Sequence, residues 1–435
     1  MSCEMTTSTM LRDKLAYDET FSCVKCGYCL PSCPTYLAFG KESHSPRGRI
    51  QLVKLAAEGK IGIEDLENPI DYCLGCRACE TVCPTNVEYG KILDSAIDVL
   101  GEYRKDKQSF SEKAIRTVIF KQALPNKKML KLVGTGLRLY QKTKADKVVR
   151  KSGVINKVSP SLAAMEQITP TIEKPLARNP YHELPKKKKT KLKVAFFTGC
   201  IMDTFFSRVN DLSMKLLQKA NCEVVFLKEQ TCCGALHQHS AEKETAIKLA
   251  KHNIEAFEKL ECDFIINAIG GCGAALVEYH HLFDPGSTWY ERAKTFAEKN
   301  KDISYILSRL ELPIVNTINR RITYQPSCHL TNVQKVVQEP MRLIEQIPGI
   351  EFARMKSQDL CCGSAGIYNI VHHEESMKIL DMKMKTVQET KPHLIVTTNP
   401  GCHLQMILGV KREGLEGKID VKHIVELLAE ACDVS

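Results

Sequence analysis

The residues best suited to chemistry are eight cysteines in two matching runs. Cys23-Val-Lys-Cys26-Gly-Tyr-Cys29-Leu-Pro-Ser-Cys33-Pro34 and Cys73-Leu-Gly-Cys76-Arg-Ala-Cys79-Glu-Thr-Val-Cys83-Pro84 both spell C-x2-C-x2-C-x3-C-P. Three thiolates within seven residues can wrap one [4Fe–4S] cube if the chain between them turns tightly. The fourth Cys then serves the cube built by the other run, and the Pro ends the turn. The spacing predicts two [4Fe–4S] clusters with crossed ligand sets. Cys23, Cys26, Cys29 and Cys83 hold one; Cys73, Cys76, Cys79 and Cys33 hold the other. A structural zinc site needs only two Cys pairs at tetrahedral corners. It leaves the third and fourth Cys of each run, and the trailing Pro, without a purpose.

A second set of cysteines occurs as an internal repeat. Lys193-Val-Ala-Phe-Phe-Thr-Gly-Cys200 answers Arg321-Ile-Thr-Tyr-Gln-Pro-Ser-Cys328, and Cys232-Cys233-Gly234 answers Cys361-Cys362-Gly363. Asp263-Phe-Ile-Ile-Asn-Ala-Ile-Gly-Gly-Cys272 answers His393-Leu-Ile-Val-Thr-Thr-Asn-Pro-Gly-Cys402, and the three offsets are 128, 129 and 130 residues. Each repeat offers four thiols after successive strands, where α/β folds place their sites. Cys200, Cys232, Cys233 and Cys272, and likewise Cys328, Cys361, Cys362 and Cys402, are candidate ligands for a further cluster or metal. A single buried Cys is usually a small hydrophobe, but a four-Cys pattern occurring twice asks for more. His237, His239, His329 and His403 read as hydrogen-bonding neighbours, since four thiolates already suffice. Cys3, Cys222, Cys262 and Cys432 show no partner spacing.

The elements that must position these residues divide at about Lys193. The insert between the first two runs, Gly48 to Gly59, has apolar residues at helical spacing, and Ser45-Pro46 is a helix entrance. This is the pattern of an alpha-helical ferredoxin. Leu11, Leu15 and Tyr17 are placed to pack on it. Arg47 and Arg49 either offset the anionic thiolates or are solvated residues of a first turn; spacing does not separate the two. Lys25 and Arg77, inside the runs, are either tuning charges or ordinary surface charge. Residues 90–150 read as mostly helical, with a break at Pro125-Asn126, and 151–192 as a Pro-containing linker ending in Lys186–Lys189. Beyond it, strand-like Val194–Phe197, Val224–Leu227 and Phe264–Ile266 alternate with helices, including one over 241–260. That predicts α/β domains with parallel sheets. The expected organisation is α+β and α/β: 1–100 a two-cluster ferredoxin domain, 101–192 a basic helical segment and linker, 193–318 and 319–435 two cysteine-rich domains.

Composition limits the class. The chain has 435 residues, 43% apolar, with no apolar run approaching the length of a membrane span. Twenty Cys without a secretory signal favour metal or redox sites in a reducing cytoplasm. The net charge of +10 is concentrated: residues 101–192 hold 23 Lys plus Arg against 7 Asp plus Glu. Such a segment is usually solvated; otherwise it is a docking strip for an acidic subunit or the inner face of the cell membrane. Nucleic-acid binding is not expected, because interleaved aromatics and a known module are missing. No G-x-G-x-x-G follows a strand, and no triad or paired-carboxylate motif appears, so no catalytic residue is expected here.

The pair of C-x2-C-x2-C-x3-C-P runs, the Ser45-Pro-Arg-Gly-Arg-Ile50 stretch, the Cys232-Cys-Gly and Cys361-Cys-Gly signatures and Asn399-Pro-Gly-Cys402 together resemble the glycolate oxidase iron–sulfur subunit family, from about Phe21 to about Glu416. The resemblance implies a complex that oxidises glycolate to glyoxylate. Flavoprotein subunits would hold FAD and the 2-hydroxy acid, and this chain would pass electrons towards a quinone-type acceptor. Related systems leave lactate or glycerol-3-phosphate oxidation, or a heterodisulfide-reductase-like thiol chemistry, as alternatives. The fuller cysteine-rich motif ends C-x-x-C, whereas Ile269 and Asn399 stand at the first of those positions.

Overall fold

The Pro that trails the first cysteine run begins helix α1, Pro34–Phe39, since its fixed φ suits the first helical position. Ser45-Pro46 starts α2, Pro46–Ala57, where the Ser45 hydroxyl accepts a hydrogen bond from the Gly48 N–H at 3.0 Å. Helix α3, Tyr89–Lys105, buries Ile92, Leu93, Ala96, Val99 and Leu100. This stripe meets Val53 and Ala56 of α2 together with Leu66, Ile70 and Leu15. Leu15 is fully enclosed, and Leu11 and Tyr17 pack at the edge of the same cluster. The sequence expectation for these three residues therefore holds.

The computed structural model describes residues 11–105, 107–173 and 192–435. Cys3, Pro175, Pro180, Pro185 and Lys186–Lys189 lie outside them. The chain forms two units. The first comprises the residues up to Arg116, with Leu236–Lys243 and Asp359–Lys383. Within it the Tyr72 ring lies 4.9 Å from that of His372, and Arg116 pairs with Glu242 at 2.8 Å.

The second unit takes Thr117–Ala235, Glu244–Gln358 and Met384–Ser435. After the π-helical segment Thr117–Ala123 come helices α4, Lys127–Lys142, and α5, Ala145–Ser152. Asn126 caps α4 by accepting from the Lys128 and Met129 N–H groups, so the expected break at Pro125-Asn126 is a helix start. Residues read as linker are helical over Val154–Val158 and Pro160–Ile168. The correction has a local cause: Ser159-Pro160 repeats the cap-and-proline entrance seen at α2.

Two four-stranded parallel sheets follow. Strands β1 (Leu192–Phe196), β2 (Cys222–Phe226), β3 (Phe264–Asn267) and β4 (Asn300–Asp302) lie in the order β2-β1-β3-β4. Strands β5 (Arg320–Gln325), β6 (Ile350–Phe352), β7 (Leu394–Thr397) and β8 (Asp420–His423) lie in the order β6-β5-β7-β8. The repeat seen in the sequence is thus a repeat of topology, with β5 standing for β1 and β7 for β3. Central strands are apolar and sealed because helices cover both faces. Val194 pairs with Val224 and Phe264, and Ile322 with Leu394. One hydrophobic core runs through both sheets, from Val194 and Phe196 to Ile322, Leu394 and Val396.

Candidate metal centres

Backbone geometry in the first unit bends both cysteine runs alike. Lys25 and Gly27 have φ of 57° and 87°, and Gly75 and Arg77, fifty positions on, have φ of 60° and 59°. Two left-handed residues between each set of three cysteines curl the chain around a hollow. Gly27 and Gly75 adopt this without strain, whereas Lys25 and Arg77 bear the cost of a side chain there.

The eight thiols fall around two hollows. Cys23, Cys26, Cys29 and Cys83 line one, with Arg47 and Tyr28 in its wall. Cys33, Cys73, Cys76 and Cys79 line the other, with Arg49 and Arg77. Each fourth cysteine thus joins the three of the opposite run. Pro46, Cys79 and Tyr89 border both hollows, so a shared wall separates them. Among the described residues no three Cys, His, Asp or Glu side chains converge closely enough for a single ion; these thiols surround space.

The hydrogen bonds around the sulfurs also repeat. Thr35 Oγ1 lies 3.2 Å from Cys33 Sγ, and Thr85 Oγ1 lies 3.5 Å from Cys83 Sγ. The Val87 N–H donates to Cys83 Sγ at 3.5 Å. Burial pulls the Cys83 thiol up, but the bonds from Thr85, Val87 and Asn86 outweigh it and hold the group below the usual range. Burial pushes Cys79 well up, reinforced by the neighbouring Cys76 and Cys73 sulfurs. The Tyr89 hydroxyl stands 3.3 Å from Cys73 Sγ.

Arg49 is the least expected member. It is 1% exposed and, among the described residues, has no carboxylate as a hydrogen-bond partner. Its guanidinium donates to Pro69 O at 2.5 Å and Thr35 Oγ1 at 3.1 Å, and reaches Cys33 Sγ at 4.0 Å. Burial alone would favour the neutral form; Cys73, Tyr89 and Cys33 overcome it and keep the group charged. A buried cation needs a compensating anion, and the hollow beside it is walled by thiols. Arg49 is therefore no solvated first-turn residue. Arg47 is half-buried at the other hollow, between Glu42 at 2.7 Å and Lys25 O at 3.1 Å. Arg77 pairs with Glu80 at 2.7 Å and is mostly buried, while Lys25 stays exposed.

In the second unit the first cysteine-rich repeat collects its four thiols at one sheet edge. Cys200 follows β1, Cys232 and Cys233 follow β2, and Cys272 lies in the helix Gly270–Val277 after β3. Cys200 and Cys232 sulfurs are 3.4 Å apart, and those of Cys233 and Cys272 3.1 Å. Gly234, at φ 84°, turns the chain after the pair. Buried polar groups fix the loop: Gln230 accepts from the Thr198 N–H at 2.8 Å, Asn253 donates to Cys232 O, and Tyr279 donates to Cys233 O. The bond with Cys232, then burial, raises the Cys200 thiol well above its ordinary range. In the second repeat, Cys328 and Cys402 belong to this unit and Cys361 and Cys362 to the first. Asn399 donates towards Cys402 Sγ at 3.8 Å.

Sequence reasoning missed Thr35, Thr85, Tyr89, Gln230, Asn253 and Tyr279. Two had a signal: Cys-Pro-Thr recurs at 33–35 and 83–85. At least four thiols in each wall, hydrogen bonds to sulfur and a buried cation without a carboxylate fit iron–sulfur clusters.

Comparison with known proteins agrees in each region. Residues 19–87 match the 4Fe-4S dicluster domain, 111–169 the linker region of the glycolate oxidase iron-sulfur subunit, and 194–277 and 322–407 the cysteine-rich domain. The chain is 46% identical over 428 residues to a probable glycolate oxidase iron-sulfur subunit of Bacillus subtilis (strain 168), covering 97% of this chain and 96% of that one. It is 27% identical to the glycolate oxidase iron-sulfur subunit of Escherichia coli (strain K12), over 95% and 94% of the two chains. Lactate utilization protein A of Oceanobacillus iheyensis is 33% identical over 54% of this chain and 96% of its own.

Proposed function

This chain belongs to the glycolate oxidase iron–sulfur subunit family, and we infer from that membership and from the two thiol-lined hollows that it relays electrons through two [4Fe–4S] clusters. Cys23, Cys26, Cys29 and Cys83 would hold the first, and Cys73, Cys76, Cys79 and Cys33 the second. Bound clusters supply single-electron acceptance and release. Oxidising glycolate to glyoxylate releases two electrons, so a flavoprotein partner holding FAD must take both and hand them over singly. A quinone-type acceptor would receive them.

The chain's own residues set the conditions for this relay. The left-handed turns at 25–27 and 75–77 aim three thiols inward in each run. Thr85 and the Val87 N–H donate to the Cys83 sulfur, which favours the more reduced, more negative state. Arg49 places a fixed positive charge beside the second hollow alone. Tyr89 and Cys79 close the shared wall against water, both being buried.

The observation that carries the reading is the crossed partition of eight thiols into two adjoining hollows. The test is reconstitution. Anaerobically purified chain should contain about eight irons for two cubes, or more if the cysteine-rich repeats are loaded. Adding the flavoprotein subunits should then give glycolate-dependent quinone reduction. Iron-poor, zinc-loaded protein would overturn the relay; reduction driven by lactate and not by glycolate would keep the relay and change the substrate.

A further inference from the structure

Helix α4 carries two apolar faces. One is buried through Leu130 and Gly134. The other faces outward: Leu132 is 66% exposed and Leu139 61%, with Met129 and Val133 exposed beside them. Positions 129, 132, 133, 136 and 139 form one stripe, since residues three and four apart are neighbours on a helix. Lys128, Lys131 and Lys142 are exposed along its flank, and Lys144 follows the last turn. From Thr117 to Lys157 the chain has eleven Lys or Arg and one acidic residue, Asp146. Among the described residues no carboxylate pairs with Lys128, Lys131, Arg138, Lys142 or Lys144. Val148 in α5 and Val154 after it are likewise exposed.

A helix that faces only water has no reason to keep Leu and Met in register on its outer side. The matching surface must accept aliphatic side chains and carry negative charge around them. An anionic bilayer does both: the apolar stripe sinks to the acyl boundary while the lysine stems reach back to the phosphates. A protein partner fits less well. The stripe has no Trp or Arg anchor of the kind that concentrates binding energy at protein interfaces, and the basic excess is spread over the whole segment. We propose that α4 docks in the headgroup layer of an anionic membrane, seated by Met129, Leu132, Val133 and Leu139 and held by the flanking lysines. This placement stands independently of the electron relay.

The experiment is co-sedimentation of the full chain with vesicles of phosphatidylcholine alone or with roughly one-third phosphatidylglycerol. Binding should require the anionic lipid and weaken with salt. Leu132→Ser with Leu139→Ser should weaken it about tenfold or more, with iron content and circular dichroism unchanged. Lys128→Gln with Lys131→Gln should weaken it and flatten the salt dependence. No binding, or parental binding by the Leu pair, overturns the proposal; the latter leaves only general charge attraction. So does a Leu pair that spares vesicle binding and releases a co-purified subunit, which would make the stripe a protein interface.

Discussion

Arg49 offers the sharpest test, because its charge sits beside one hollow and has no carboxylate to cancel it. Replacing it by Gln removes one positive charge 4.0 Å from the Cys33 sulfur. An electron added to a cluster there would be spread over the cube, at a mean distance of roughly 6–8 Å, and at an effective dielectric of about 20 the lost attraction is about 2–3 kcal/mol. A tenfold change in a one-electron equilibrium corresponds to about 59 mV, so the potential should fall by about 100 mV. Arg49→Lys keeps the charge and loses the fork that holds Pro69 O and Thr35 Oγ1, so it should shift less. The assay is a redox titration followed by low-temperature electron paramagnetic resonance, which separates two clusters without needing substrate. Only one signal should move. If Arg49→Gln assembles full iron and both signals titrate as in the parent, the buried guanidinium is structural and the electrostatic reasoning fails. If Gln does not assemble, the Lys variant still tests the charge, since a shift as large as the full loss predicts would refute it.

The crossed ligand sets predict which changes act together. Cys83→Ser and Cys26→Ser should remove or alter the same resonance, and Cys33→Ser and Cys76→Ser the other, each with about half the two-cluster iron lost at most; pairing by run instead would refute the crossing. Thr85→Val removes the hydroxyl 3.5 Å from Cys83 Sγ and should lower the potential of the first cluster only, read in the same titration. Asp302 concerns stability. It is buried, one of its carboxylate oxygens has no partner, and burial raises it to about 6. A raised carboxylate favours the fold fully below its unfolded value, and that contribution is lost as pH rises through about 6. At pH 7.5 Asp302→Asn, which keeps the acceptor for the Ser304 N–H, should therefore stabilise by up to about 3 kcal/mol. The gain should vanish near pH 4, about the unfolded value; thermal melts at the two pH values decide, and an equal gain at both would refute the cause.

What could be read from the chain, and what could not, follows from how far apart the cooperating residues lie. Each cysteine run and the cap at Ser45 is written within a few residues, and the repeat shows as short motifs recurring at a near-constant offset, so spacing alone carried them. Strands β4 and β8 escaped because Asn300-Lys-Asp302 and Asp420-Val-Lys-His423 are polar; they are short edge strands, and edges carry charge rather than an apolar run. Helix Pro160–Ile168 was hidden by prolines that mark a start as well as a break. Arg49 and Arg47 are indistinguishable in sequence, two positions apart on one helix, yet one is enclosed and the other half-buried. A turn of two residues is about 200°, which carries Arg49 from the side of the first hollow to the second. The same helix therefore sends one guanidinium to each hollow. Arg47 has the Glu42 carboxylate to offset its charge, and Arg49 has neutral oxygens and the thiol-walled space. Under the relay proposed above, that asymmetry makes the second cluster the easier one to reduce and sets the direction of electron flow across the wall formed by Cys79 and Tyr89.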